Sequence, residues 1–262
     1  MPRTPSLPVQ WSQYLALRTV TTGLLSLDLR ANYAFARALG GTLHRLDRAA
    51  GADPARLPRP ARAIVHKLLR HGHHRAMRNL SWAFPDLCEA RRDAIVRQTY
   101  QHMMKMVVEI LRTPRLIHTG GWHQRIQLGN LGPALKTLNA SEPAILVTGH
   151  VGNWEVLGYL LATLGYRIHA IARPIDNPLV NHWLLDIRER QGMRIITKWQ
   201  ASTIMEDVLR GGGTLGIIAD QDAGKKGLFV PYFGRLASTY KSIGLLAISQ
   251  NVPIICGCAV RV

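Results

Sequence analysis

The 262-residue chain carries 33 Lys and Arg against 16 Asp and Glu, a formal charge of +17, and 47% of its residues are hydrophobic. That apolar fraction suffices for a real core and excludes a disordered tail or a small disulfide scaffold. Its three cysteines, Cys88, Cys256 and Cys258, are too few and too badly spaced for a disulfide framework or a four-ligand zinc site, and Cys256-x-Cys258 reads as two small core residues on one strand face.

Residues 1–130 hold 20 of the cations and 7 of the anions, net +13, so the first half is expected to meet a polyanion: nucleic acid, anionic headgroups or a phosphorylated glycolipid. The apolar stretch after Trp11 is broken by Arg18, Asp28, Arg30 and Arg37, which fits neither a secretory leader nor a bilayer span. Residues 9–48, with Trp11, Tyr14, Tyr33 and Phe35, instead read as a basic amphipathic segment suited to a membrane interface. Residues 1–50 are therefore set apart from an α/β domain over 51–262, helical over 61–120 and sheet-forming over 121–262.

The Pro- and Arg-rich stretch from Gly51 to Pro60 breaks the helical pattern, which resumes at 61–83 and 89–112. His71, His73 and His74 have cationic neighbours and no local carboxylate, so they read as a solvated basic face and not as a metal site. From about 122 the rhythm changes. Strands are expected near 122–128, 143–148, 167–172, 193–197, 214–219 and 253–260, with helices at 130–140, 153–165, 177–191, 200–210 and 239–250. Asn130 and Asn153 suit N-caps, and Pro178 suits a first helical turn. Alternation of this kind predicts an α/β fold, a mostly parallel sheet covered by helices with a helical basic N-terminal region. The uncharged run from Ser242 to Val260 contains Asn251 and Pro253 and reads as a helix-to-strand junction. The chain stops soon after, so it is expected to lack a C-terminal tail.

The informative stretch runs from Ala144 to Glu155, where a buried strand ends at Gly149, His150 emerges and a helix begins within three residues. Catalytic groups favour such strand ends in open α/β sheets. Glu155 is expected to accept a proton from one imidazole nitrogen of His150, leaving the other free as a base. Gly152 would permit close approach of substrate, and the N–H groups at Gly152 and Asn153 are expected to stabilise an oxyanion. Arg173 follows the next strand and is placed to clamp a phosphate, with a salt bridge to Asp176 as the alternative. Arg188, on the next helix, is expected to be a second phosphate anchor, with a solvated helix face as the alternative. Asp220 and Asp222 also follow a strand and read as polar scaffolding that positions the acceptor or holds Arg173. Neither a serine elbow nor a Walker loop is present, which points to direct transfer onto a substrate hydroxyl.

Gly149-His150 through Glu155 resembles the first motif of the lysophospholipid acyltransferase superfamily, and the chain more closely resembles the lipid A biosynthesis (lauroyl/myristoyl) acyltransferases. Asn79-Leu80 with Phe84-Pro85-Asp86 resembles an upstream signature. Ala172-Arg173-Pro174 with Asp176-Asn177-Pro178, then Arg188 and Gly192, resembles the second block; Asp220-Gln221-Asp222 with Val230 to Gly234 resembles the third; Val252-Pro253-Ile254 resembles the fourth. The resemblance implies a membrane-associated O-acyltransferase on the cytoplasmic face of the inner membrane, peripheral or N-terminally anchored. It would move a fatty acyl chain from an acyl-carrier-protein thioester, or from coenzyme A, to a hydroxyl of a phosphorylated lipid A precursor. It also implies that His150 is the general base oriented by Glu155. Beside it, Arg173, Asn177, Arg188, Asp220, Gln221 and Asp222 are expected to contact substrate, and transfer from a thioester needs no metal or further cofactor. Its partners would be acyl-carrier protein, an anionic glycolipid and the membrane surface, not nucleic acid. The alternatives are acyl-coenzyme A-dependent acylation of another phospholipid or glycolipid, a metal-dependent glycosyltransferase reading Asp220-Gln221-Asp222 as a metal motif, and a lipid binder without turnover.

Overall fold

The computed structural model describes residues 4–52, 72–129, 131–140 and 142–262, within which the chain divides into two compact units. The first comprises residues 1–23, 110–230 and 237–262; the second comprises residues 24–109 and 231–236. The position expected to separate an N-terminal segment from the rest thus falls inside the second unit. Asn130 and the first part of the helix expected at 61–83 lie outside the described residues, as does His71.

The segment read as one amphipathic stretch forms two helices, α1 (Leu7–Ser26) and α2 (Leu29–Ala52). Asp28 separates them because its carboxylate accepts the Ala31 N–H at 2.6 Å, capping the start of α2. On α2 the buried positions Asn32, Ala36, Gly40, His44, Asp47 and Ala50 recur every three or four residues and form one inward stripe. On α1 only Thr21 is buried, and Leu7, Trp11 and Leu15 stand exposed on an i, i+4 stripe. Helices α3 (Gly72–Ala83) and α4 (Glu89–Leu116) follow. Among the described residues no helix is long and apolar enough to cross a membrane.

The rest alternates as expected: α5 (Gly132–Asn139), β1 (Ala144–Thr148), α6 (Trp154–Thr163), β2 (Ile168–Ala172), α7 (Pro178–Glu189), β3 (Arg194–Thr197), α8 (Ala201–Arg210) and β4 (Thr214–Ile218). A hairpin of β5 (Leu228–Tyr232) and β6 (Arg235–Thr239) comes next, then α9 (Lys241–Gln250) and β7 (Ile254–Cys256). Phe233 and Gly234, both at positive φ, make the tight turn of that hairpin. The five-stranded sheet is parallel in every pairing, in the order β3-β2-β4-β1-β7.

Near-continuous apolar strands let both faces be covered. Ile145, Ile196 and Leu215 pack with Ala201 and Leu209 of α8 and Ala247 of α9, while Leu146 and Ile195 turn the other way toward Leu161 of α6 and Leu138 of α5. Successive β1 residues thus enter different cores, the alternation a pleated strand imposes.

Two expectations are corrected. Residues 122–128 do not form a strand: Trp122–Gln124 is a 3-10 turn, and Ile126 and Leu128 meet their apolar requirement by packing on Ile117, Tyr159 and Leu160. Cys256 and Cys258 are exposed rather than core, because β7 stands at the sheet edge.

Candidate active site

Strand pairing assembles the site. Strands β1 and β4 lie side by side with Thr148 opposite Ile218. His150 and Asp220 each sit two residues beyond those partners, at the carboxyl ends of neighbouring strands. The Asp220 carboxylate accepts twice from His150, through Oδ1 from the ring Nδ1 at 2.7 Å and through Oδ2 from the backbone N–H at 2.7 Å. Gly149 makes room for this approach, since a Cβ there would lie 3.0 Å from Asp220 Oδ2. Burial raises the Asp220 carboxyl pKa, but the hydrogen bonds from the His150 ring and backbone outweigh it and hold the group below the usual carboxylate range. The anion therefore fixes the tautomer with hydrogen on Nδ1. Trp154 packs edge-on against the imidazole with ring centroids 4.6 Å apart. Nε2 has no partner among the described residues, and the side chain keeps 37% of its surface exposed. A ring clamped at one nitrogen and open at the other is equipped to take a proton from a bound hydroxyl.

The partner expected for His150 is thus corrected: it is Asp220, not Glu155. Glu155, in the first turn of α6, holds the Arg188 guanidinium with both oxygens, Oε2 accepting from Nε at 2.8 Å and Oε1 from the terminal nitrogen. Both side chains are mostly buried. Arg188, placed as a phosphate anchor, is consequently committed to pairing α7 with α6. Asp220 holds His150 and not Arg173.

The expected oxyanion pair is corrected as well. The Asn153 N–H donates to the Ala259 carbonyl at 2.7 Å, and the Asn153 side chain caps α6 by accepting the Val156 N–H at 3.1 Å. Gly152, at φ +62°, has that same carbonyl packed where a Cβ would lie, 1.8 Å away, so its openness serves the chain segment after β7 and not a substrate. The N–H groups of Trp154 and Glu155, first in α6, have no helical acceptor, as at any helix start.

Asn177 is not available to substrate either. It is buried, it caps α7 by accepting the Leu179 and Val180 N–H groups at 3.0 and 3.3 Å, and its amide donates to Gln10 and Gln13 of α1. Arg173 takes the alternative weighed for it, an exposed ion pair with Asp176 at 3.2 Å, whose contribution to stability is small. Gln221 is exposed beside the histidine pair, and Asp222 accepts the Gly224 N–H at 3.0 Å within its own turn. Two contributors escaped the sequence reading: Asp220 as the imidazole's partner, and Trp154, which reads as core.

The sequence model of a family described as bacterial lipid A biosynthesis acyltransferase matches residues 57–261. The chain is 26% identical over 185 residues to the lipid A biosynthesis myristoyltransferase of Escherichia coli K12, and 27% identical over 186 residues to lipid A biosynthesis acyltransferase 1 of Shigella flexneri. Each match covers 69% of this chain and 56% of the relative, so the chain spans little more than half the length of the curated relatives it matches.

Proposed function

Because the chain belongs to the bacterial lipid A biosynthesis acyltransferase family, we propose that it transfers a fatty acyl group from a thioester to a hydroxyl of a phosphorylated glycolipid, with His150 as general base. The observation that carries this reading is the His150–Asp220 pair at the ends of β1 and β4, with Nε2 open to solvent. In the proposed reaction Nε2 takes the acceptor's hydroxyl proton as its oxygen attacks the thioester carbonyl. Asp220 keeps Nδ1 protonated and stabilises the imidazolium. The Trp154 and Glu155 N–H groups at the start of α6 take the developing oxyanion. Collapse breaks the carbon–sulfur bond, and the leaving thiolate recovers the proton from Nε2.

Arg173 is the phosphate contact in this reading, since its exposed pairing with Asp176 opens at little cost. Gln221 and Asp222, exposed just beyond Asp220, are further acceptor contacts in this reading. The donor is acyl-carrier protein, and the acceptor is a lipid A precursor at the cytoplasmic face of the inner membrane, reached by a peripheral protein. Exposed Trp11, Leu15 and Val20 on α1 support the membrane part of the proposal.

Radiolabelled acyl transfer tests it, with acyl-carrier-protein and acyl-coenzyme A donors and with a lipid A precursor or a lysophospholipid as acceptor. His150→Ala is expected to lose at least ~100-fold in rate. Asp220→Asn, acting through the imidazole, is expected to lower kcat, alter its pH profile and leave the acceptor KM nearly unchanged. Full transfer by His150→Ala would remove the histidine from the base role. Transfer from coenzyme A to the lysophospholipid alone would favour the second acyltransferase reading.

A further inference from the structure

We propose that His44, His73 and Asp93 form a binding site for a zinc-type divalent transition-metal ion that clamps α2, α3 and α4 together. The three residues are far apart in sequence and come from three different helices of the second unit. Their ligand atoms nevertheless converge. Asp93 Oδ1 lies 3.0 Å from Nε2 of His44 and 2.8 Å from Nε2 of His73, and all three ligand atoms fall within 4.8 Å of one another. Ligands about 2.0–2.1 Å from a tetrahedral zinc stand about 3.3 Å apart. Opening the two short pairs by a few tenths of an ångström, while the imidazole nitrogens, at most 4.8 Å apart, settle to the same spacing, admits the ion. Two imidazoles and one carboxylate suit zinc-type ions better than magnesium or calcium, which prefer oxygen alone.

The surroundings are arranged as for a metal site. His44 is nearly enclosed, with 4% of its side chain exposed, whereas His73 and Asp93 keep 15% and 21%, which leaves a route for entry and a place for a solvent ligand. Arg48 holds the second Asp93 oxygen at 3.2 Å and so fixes the direction of the first. Asp47 accepts the His73 backbone N–H at 2.7 Å and the Tyr100 hydroxyl, which fixes the start of α3. Asp47 Oδ1 and His44 Nδ1 are both buried and have no hydrogen-bond partner among the described residues. Asp47 and Asp93 are two of only seven acidic residues in the first 130, a region of net +13. An ion pair with Arg48 requires neither imidazole.

The test uses the full, untagged chain after chelator treatment, titrated with Co²⁺ and then Zn²⁺. One equivalent of cobalt is expected to give the intense visible absorption of a low-coordinate site, zinc to displace it, and zinc to raise the thermal midpoint. His73→Gln and Asp93→Asn, checked for folding by circular dichroism, are each expected to weaken uptake by at least ~100-fold, since losing a direct ligand exceeds the 10–100-fold cost of losing an outer partner. His182→Gln on α7, whose side chain is 82% exposed, is the control and should bind normally. If Asp93→Asn fails to fold, His73→Gln carries the test. No stoichiometric uptake by the folded wild type, or uptake surviving in a folded ligand variant, overturns the proposal. The readouts are spectroscopic and thermal, so they stand or fall independently of acyl transfer.

Discussion

Glu155 and Asp220 are both carboxylates near one histidine, and their fates differ because of what each faces. Glu155 commits both oxygens to a mostly buried guanidinium, and hydrogen bonds to charged partners of this kind are each worth roughly 1.5–3 kcal/mol. Glu155→Gln or Arg188→Gln alone is therefore expected to lower unfolding free energy by about 3 kcal/mol, because each strands a mostly buried charge. The double variant should lose less than the sum of the singles, with a coupling of roughly 0.5–3 kcal/mol. Chemical denaturation of the four proteins checks this; strict additivity would show that the pair does not act as a unit. At this scale His150 stands out in the sequence from its glycine neighbours and the start of a helix. The sequence does not show that a guanidinium on α7 claims Glu155, since no local pattern relates positions 155 and 188. Asn177 was misassigned for a related reason: an Asn before a Pro-led helix is foremost a cap, and here the capping uses its acceptor oxygen while α1 uses its amide.

Among the elements, the turn from β1 into α6 depends on a neighbour that follows β7. Gly152 pairs with Ala259, and the Ala259 carbonyl accepts the Asn153 N–H. A methyl group at 152 would collide with that carbonyl and also sit at an unfavourable positive φ. Gly165, at φ +94° with nothing within 4 Å of a virtual Cβ, separates the two costs. Gly165→Ala should lose about 1–2 kcal/mol from backbone strain alone. Gly152→Ala should lose more and should also impair transfer, because displaced backbone next to Asn153 moves the start of α6 under His150. Thermal unfolding and transfer rates of the two variants decide the matter, and equal losses would mean the carbonyl contact is easily relaxed. Most elements were legible because apolar runs, glycine ends and capping residues coincide within each strand–helix unit. The stretch at 122–128 misled because Trp122, Ile126 and Leu128 are apolar in a strand-like pattern yet bury themselves on helix α6 with no ladder partner.

For the whole molecule, charge and apolar exposure combine into a statement about surfaces. The first 130 residues account for net +13 of the total, and α1 exposes Leu7, Trp11 and Leu15 on one stripe. The chain is expected to sediment with vesicles containing anionic phospholipid, more weakly with neutral vesicles and more weakly in high salt. Burying each such side chain is worth roughly 1.5–3 kcal/mol, so Trp11→Ala with Leu15→Ala should cut partitioning by ~10-fold or more. Unchanged partitioning would place the contact elsewhere. The sheet order, by contrast, could not be read from the sequence: alternation predicts parallel strands but not which neighbours they choose, and the imidazole's partner follows from that choice. Strand β4 slots between β1 and β2, both earlier in the chain. A ribosome releasing this chain delivers the histidine seventy residues before the carboxylate that completes it. The histidine therefore has no carboxylate on its ring until β4 has taken its place beside β1.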